Sequence, residues 1–288
     1  MLTIQPFQRT DIPAALQLCA QVNWNHLAAD WERCLTLNPA ACIGGFEEGV
    51  LKATCTLTPF GEVGWVGTFL VDQSQRGQGY GKLVFEAMLA QARQQGLVCL
   101  GLDSSDAGRP IYLRYGFQMT GQGVELWSGP NPAPAHGEAS AADVRPVQSA
   151  DWEQLLALDR GCSGVDRARQ LRTLAGEAGA TAQVCVSHGT VQGFGFSRPG
   201  KLAGVIGPVV AHDLAAACQL MMALLADRRA RDGEKTVALA VPDQEALRTW
   251  LAACGFQMRR RNLRMFRPAP RELLAGPALF VTTGLGMG

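Results

Sequence analysis

The sequence predicts a mixed α/β fold built twice in tandem. Three observations lead there. Short apolar strands alternate with amphipathic helices, the pattern of the first half recurs in the second, and a glycine-rich loop follows a buried strand and opens a helix.

In chain order, residues 2–6 read as a short strand and Asp11 as the cap of a helix through Ala20. A second helix is expected over 29–37, then strands over 41–46 and 51–57 around a Glu-Glu-Gly turn. Residues 63–71 are continuously apolar, as a central strand covered on both faces requires. Past the glycine-rich loop, 81–95 is helical and ends at Gly96; Leu83, Val84, Ala87 and Met88 share one face. A buried strand over 97–102, a short helix over 110–115 and a closing hairpin from Phe117 complete the half.

The repeat is read from three matches in register. Pro6 pairs with Pro146 and Val66-Gly67 with Ile206-Gly207 at an offset of 140, and Gly116-Phe117-Gln118-Met119 pairs with Gly255-Phe256-Gln257-Met258 at 139. Between the copies runs SGPNPAPAHGEASAA, with the composition of a linker. The expected division is therefore a catalytic domain over 1–128, a linker over 129–142 and a second domain over 143–288.

Composition narrows the function. A net charge of +1 over 288 residues gives no electrostatic case for nucleic acid or an anionic membrane. No apolar run reaches the roughly 20 residues of a membrane helix, and the N-terminus lacks the basic and apolar regions of a signal peptide. A cytoplasmic protein is expected. The nine cysteines show no C-x-x-C pair and the four histidines no H-x-x-x-H, so reduced buried thiols and no metal are expected.

The loop reads Val71-Asp72-Gln73-Ser74-Gln75-Arg76-Gly77-Gln78-Gly79-Tyr80-Gly81-Lys82. A helix start offers unpaired N–H groups and the positive end of its dipole, and glycines let an anion approach the backbone. The Walker spelling fails, since Arg76 stands at its first glycine and Leu83 follows the Lys. G-x-G-x-x-G fails as well, because Gly77 leads to Lys82 and Gly79 to Val84. What fits is R-x-x-G-x-G at Arg76, Gly79 and Gly81, which resembles the pyrophosphate loop of the GNAT superfamily. Tyr112-Leu113-Arg114-Tyr115-Gly116-Phe117 resembles that family's Y-x-x-x-G-F. Further stretches, including Trp24-Asn25 and Arg198-Pro199-Gly200, resemble a bacterial subgroup with a GNAT domain followed by a degenerate second one.

The resemblance implies transfer of an acetyl group from acetyl-CoA, a co-substrate, to an amine by direct attack. Residues 76–82 would hold the diphosphate, and amides around Leu70 and Val71 would polarise the thioester carbonyl. Tyr112 would protonate the departing thiolate; Asp103 and Glu62 are the candidate bases. Trp24, Asn25 and Trp31 fall where the fold shapes its acceptor pocket, and their alternative is packing under the helices. In the second copy the same offset sets Arg76 on Ala215 or Ala216 and Tyr112 on Leu251, so that half is expected to bind no CoA. A small-molecule amine is the expected acceptor, with a non-catalytic acyl-CoA sensor or a protein lysine or N-terminal acetyltransferase as alternatives. A monomer or a homodimer is expected.

Overall fold

The computed structural model describes residues 1–131, 143–232, 236–269 and 271–288. By contact the chain divides into two units, Met1–Leu102 with Met287, and Asp103–Gly286 with Gly288.

The first unit orders its strands β1 (Thr3–Pro6), β2 (Cys42–Glu47), β3 (Val50–Phe60), β4 (Val63–Val71) and β5 (Cys99–Ser104, whose last two residues belong to the second unit) as neighbours in that sequence. The first four pair antiparallel, and β4 with β5 parallel. Its helices are α1 (Ile12–Gln21), α2 (Ala28–Leu37) and α3 (Tyr80–Gln94). Alternate residues of β4 point to opposite faces. Phe69 meets Phe85 of α3 at 5.3 Å between ring centroids, while Leu70 joins the core under α1 and α2. Helices therefore cover both faces, which is why β4 reads as one apolar run. Met287, from the chain's end, sits in the same core, its sulfur 3.8 Å from Cys34 Sγ and 3.9 Å from Thr58 Oγ1.

The second unit contains α4 (Arg109–Arg114), β6 (Gln118–Pro130), β7 (Asp143–Pro146), α5 (Trp152–Ser163), α6 (Ala168–Ala175), β8 (Thr181–Ser187) and β9 (Thr190–Arg198). It continues through β10 (Gly204–Ala211), α7 (Leu214–Asp232), β11 (Thr236–Pro242), α8 (Glu245–Ala253), β12 (Gln257–Arg267) and β13 (Leu279–Val281). Its strand order is β12-β6-β11-β10-β9-β8-β7, with β13 on β10.

The expected closing hairpin is absent. Residues 118–130 form one long strand, paired antiparallel on one side with β11 and on the other with β12. Trp127 of this strand is buried in the core made by α7, β10, β11 and α8. The last strand of the first repeat is thus built into the sheet of the second. For this reason the division by contact falls at 102/103 rather than at 128. Of the expected linker, 129–130 finish β6, and 132–142 lie outside the described residues.

The repeat itself is visible in the backbone. Phe117 N–H donates to the Tyr112 carbonyl at 3.2 Å, and Phe256 N–H to that of Leu251 at 2.9 Å. Gly116 and Gly255 hold φ of +79° and +83°, a conformation that side chains resist. Likewise Asp11 accepts from Gln8 N–H at 2.8 Å, and Asp151 from Gln148 N–H at 2.7 Å. Asp11 thereby closes the short turn before α1; the helix itself has no side-chain cap.

Candidate active site

The glycine-rich loop joins β4 to α3 and is fixed at its entry. Asp72 accepts from the Ser74 hydroxyl at 2.7 Å, from Ser74 N–H at 2.9 Å and from Gln21 Nε2 at 3.4 Å. The Ser74 hydroxyl bond is the main reason the Asp72 carboxyl stays below its ordinary pKa. Gln21, at the end of α1, also grips Gln73 through both its amide oxygen and its carbonyl. Beyond this latch, Arg76, Gly77, Gln78 and Gly79 are exposed. Gly77 and Gly79 have φ of +81° and +83°, and a Cβ on either would meet no atom within 4 Å. Space lies open directly over the backbone there.

Gly79 is the N-cap of α3, and the first bond of the helix is Leu83 N–H to Gly79 C=O at 3.2 Å. The N–H groups of Tyr80, Gly81 and Lys82 precede it and have no partner inside the helix. Arg76 and Lys82 add two exposed cations. The surface has the properties a diphosphate requires: open amides, the positive end of the dipole and flexible positive charge.

Two loop residues have inward roles. The Tyr80 hydroxyl donates to Glu47 on β2, a bond that holds its proton and raises the phenol's pKa. A Cβ on Gly81 would stand 3.2 Å from both Phe69 and Val71, so this glycine lets helix and strand approach closely. Each contributes a backbone N–H to the helix start while its remaining atoms face the protein.

The strand before the loop splays from its neighbour. β4 and β5 pair over Val63–Cys99, Gly64–Leu100 and Trp65–Gly101, and then pairing stops while β4 runs on to Val71. On its other side β4 stays paired with β3 through Leu70–Thr54 and Val71–Ala53, across a bulge between Thr54 and Thr56. Thr68 occupies the bulge with a φ of +39°, its hydroxyl donating to Thr56 Oγ1 at 2.7 Å and its carbonyl accepting from Thr54 Oγ1 at 2.8 Å. A bulge re-aims the backbone groups that follow it; here those are Phe69, Leu70 and Val71. Sequence reasoning missed Thr68, because a threonine in an apolar run looks like any strand residue.

The predicted acceptor residues separate. Trp31 is 1% exposed and stacks on Phe7 at 4.8 Å, so it is core. Trp24 and Asn25 are half-buried. Trp24 stacks on His26 at 5.1 Å, and the imidazole lies 6.4 Å from the Trp31 ring. The sequence offered no signal for His26 beyond its position between the two tryptophans. Glu62 is exposed just before β4, and nine strand steps, roughly 30 Å, separate it from Val71. It does not stand with the loop.

Tyr112 and Asp103 belong to the second unit. Tyr112, on α4, is 9% exposed and packs edge-on against Phe117 at 6.0 Å. Gly108 leaves room for its ring, since a Cβ there would sit 3.0 Å from it. The Asp103 side chain is fully buried, and its two oxygens accept from Arg264 Nε at 2.9 Å and Nη2 at 3.2 Å. Asn262 donates to its carbonyl at 3.2 Å. A carboxylate held at both oxygens by a buried guanidinium is a structural anchor, already occupied by its partner.

The second copy departs most at the equivalent helix start. Eight residues (72–79) separate β4 from α3, but only two (212–213) separate β10 from α7. The constant offset that set Arg76 on Ala215 or Ala216 therefore breaks here: the loop is deleted rather than substituted. Asp213 accepts from Ala216 N–H at 2.8 Å, so the start of α7 is occupied by the protein's own carboxylate. The cysteines take no part in either site. None of the nine forms a disulfide and all are at least half-buried, and burial raises the Cys162 and Cys218 thiols to about 11. Among the described residues no cluster of His, Cys, Asp or Glu is placed to hold a metal, and no helix is long and apolar enough to cross a membrane.

Residues 10–117 match the acetyltransferase (GNAT) family, and residues 155–275 match a further acetyltransferase (GNAT) domain. The chain is a tandem GNAT protein. Solved structures agree in fold across both halves. A putative acetyltransferase from Pyrococcus horikoshii superposes with a TM-score of 0.81 at 17% identity, over 100% of this chain and 96% of that one. A tandem GNAT protein from the clavulanic acid biosynthesis pathway gives 0.70 at 17% identity, over 94% and 100%. A GCN5-related N-acetyltransferase from Sphaerobacter thermophilus gives 0.66 at 15% identity, over 92% and 95%. No curated protein matches the sequence. Family and fold together make this tandem GNAT protein an acyltransferase in general type.

Proposed function

We propose that the protein is an N-acetyltransferase that moves an acetyl group from acetyl-CoA to the primary amine of a small molecule, in its first half. The observation that carries this reading is the pair of left-handed glycines, Gly77 and Gly79, with open space over both at the start of α3. Arg76, Lys82 and the amides of residues 77–82 would hold the diphosphate. Acetyl-CoA supplies an activated acyl thioester. The Val71 amide, on the edge of β4 away from β3, presents a donor to a carbonyl oxygen, while the alternation set by Asp72 N–H to the Lys52 carbonyl turns the Leu70 amide toward β3. Tyr112 carries a phenolic proton suited to a thiolate formed beside it.

An amine attacks only when neutral. Asp103 is held by Arg264 and Glu62 stands at the far end of β4, so the amine's proton leaves to water. Trp24 and Asn25, with His26, line the acceptor side, and Trp31 supports them from the core. The cytoplasm is the compartment this chemistry fits.

Calorimetric titration with acetyl-CoA tests the reading. The intact chain is expected to bind one equivalent. A variant carrying Arg76→Glu and Gly79→Asp, which removes one charge-assisted contact and adds two anions, is expected to bind at least about 100-fold more weakly. Both substitutions lie on the exposed loop, and the Asp side chain at the left-handed Gly79 should cost about 1–2 kcal/mol of stability, so the variant is expected to remain folded with a modestly lowered unfolding temperature. An intact, folded chain that takes up no acetyl-CoA would overturn the proposal.

A further inference from the structure

The second half has a strand splay built like that of the first. β10 and β11 pair parallel over Gly204–Val237, Val205–Ala238 and Ile206–Leu239, and their mutual pairing then stops. In this case another segment lies in the opening. Residues 277–283, next to the C-terminus, run antiparallel to β10, with Val281 opposite Val209 and Leu279 opposite Val210. Ala211 N–H donates to the Ala278 carbonyl at 3.0 Å. On the other side, Thr282 N–H donates to the Ala240 carbonyl of β11 at 2.8 Å. Gln244, just past β11, donates to the carbonyls of Pro277 at 3.0 Å and Leu279 at 3.2 Å.

The fit is close. Leu279, Val281 and Thr283 are fully buried, and Phe280 and Thr282 nearly so. Gly207 sits where a Cβ would run into the Thr282 carbonyl, and its φ of +143° suits glycine. Deeper in, the Thr283 hydroxyl accepts from Arg167 Nη1 at 3.3 Å, and its carbonyl from Arg198 Nη2 at 3.5 Å. Both guanidiniums are buried.

We propose that residues 277–283 are the resident ligand of the second half's acyl-carrier slot. An opened pair of strands presents edge amides and carbonyls to any extended amide chain. Pantetheine is such a chain, and so is a peptide strand. In this half the protein's own tail satisfies those groups. Together with the shortened loop and the Asp213 carboxylate, the tail closes the second half to CoA and to other thin amide ligands. The proposal does not depend on catalysis by the first half.

Two measurements test it, and neither involves CoA. In native-state hydrogen exchange on the intact protein, the Thr282 amide should exchange at least roughly 100-fold more slowly than in an unstructured peptide, on the same scale as the β10 amides. Unprotected exchange across 279–283 would overturn the proposal. Second, a chain lacking 277–288 is mixed with a fluorescent synthetic peptide of residues 276–288. The shortened chain should bind it, the intact chain should not, and a peptide with Val281→Asp should bind neither. Equal binding to both chains, or none to a folded shortened chain, would refute it. Should the shortened chain not fold, the exchange measurement decides alone.

Discussion

The two halves open their sheets at the same place and complete the opening differently. In the first, β4 leaves β5 after Trp65, a threonine bulge re-aims the strand, and an eight-residue loop delivers two left-handed glycines to a helix start. In the second, β10 leaves β11 after Ile206, two residues lead into α7, a carboxylate occupies the helix start, and the chain's tail lies between the strands. The flanking features barely differ: the Gly-Phe corners at 116–117 and 255–256 superimpose in bond and dihedral, and so do the Asp11 and Asp151 turns. The comparison teaches that one strand opening can be kept while the loop behind it is shortened, its helix start filled by a carboxylate and another strand laid against it.

The largest expected effect breaks the comparison at its chemical point. Tyr112→Phe should lower kcat by about 100- to 10,000-fold, the usual contribution of a positioned acid, with acetyl-CoA affinity unchanged. The same deletion cannot be made in the second half, where Leu251 stands. Affinity lost along with kcat would show Tyr112 to be a binding residue, and unchanged kcat would remove it from the mechanism. Next, Arg264→Leu should destabilise the chain by about 3–5 kcal/mol, because it leaves the buried Asp103 carboxylate unpaired. Denaturant unfolding would measure it; a loss below 1 kcal/mol would mean that the pair is not a structural anchor.

Smaller effects sharpen the likeness. Gly116→Ala and Gly255→Ala should each cost about 1–2 kcal/mol, the ordinary penalty of a left-handed side chain, and should cost nearly the same. Unequal costs would show that the corners are alike only in backbone. Least of all, the turn of the second half should respond to acid through an ion pair that the first half lacks. Arg145 donates to both Asp151 oxygens, at 2.7 and 2.8 Å, and holds that carboxyl below its ordinary pKa; Gln5 stands where an arginine would serve Asp11. A lowered folded-state pKa gives stability that is present above the unfolded value near 4 and lost as pH falls through the folded one. Asp151→Asn should therefore flatten the acid limb of the stability curve, and an unchanged limb would mean that the Arg145 pair contributes no pH-dependent stability.

The strand, loop and helix of the candidate site were legible in the sequence because they are local. All three lie within 63–95, and spelling alone excludes the two rival phosphate loops. The repeat was legible for the same reason, since glycines and prolines at fixed conformations are retained in register. What escaped was long-range or directional. Asp103 looked like a candidate base because its partner lies 161 residues away. Glu62 looked adjacent to the chemistry because a strand has two ends, and adjacency in sequence does not say which one carries the loop. The alternating pattern of residues 118–130 identifies a strand and carries no information on its partners, so an exchange into the second repeat was read as a hairpin. The offset that aligned the corners failed at α7, because a deletion changes the count without leaving a residue to see. The tail strand is three residues long, too short for periodicity to mark it.

The placement of β6 bears on how such a protein changes over generations. A duplicated domain ordinarily leaves each copy able to be lost, split off or recombined. Here a strand encoded in the first copy is flanked on both sides by strands encoded in the second. A gene cut between the copies would give one product with a bare strand and another with a gap in the middle of its sheet. The sheet of the second copy is incomplete without β6 of the first, and that ties the two copies into one reading frame.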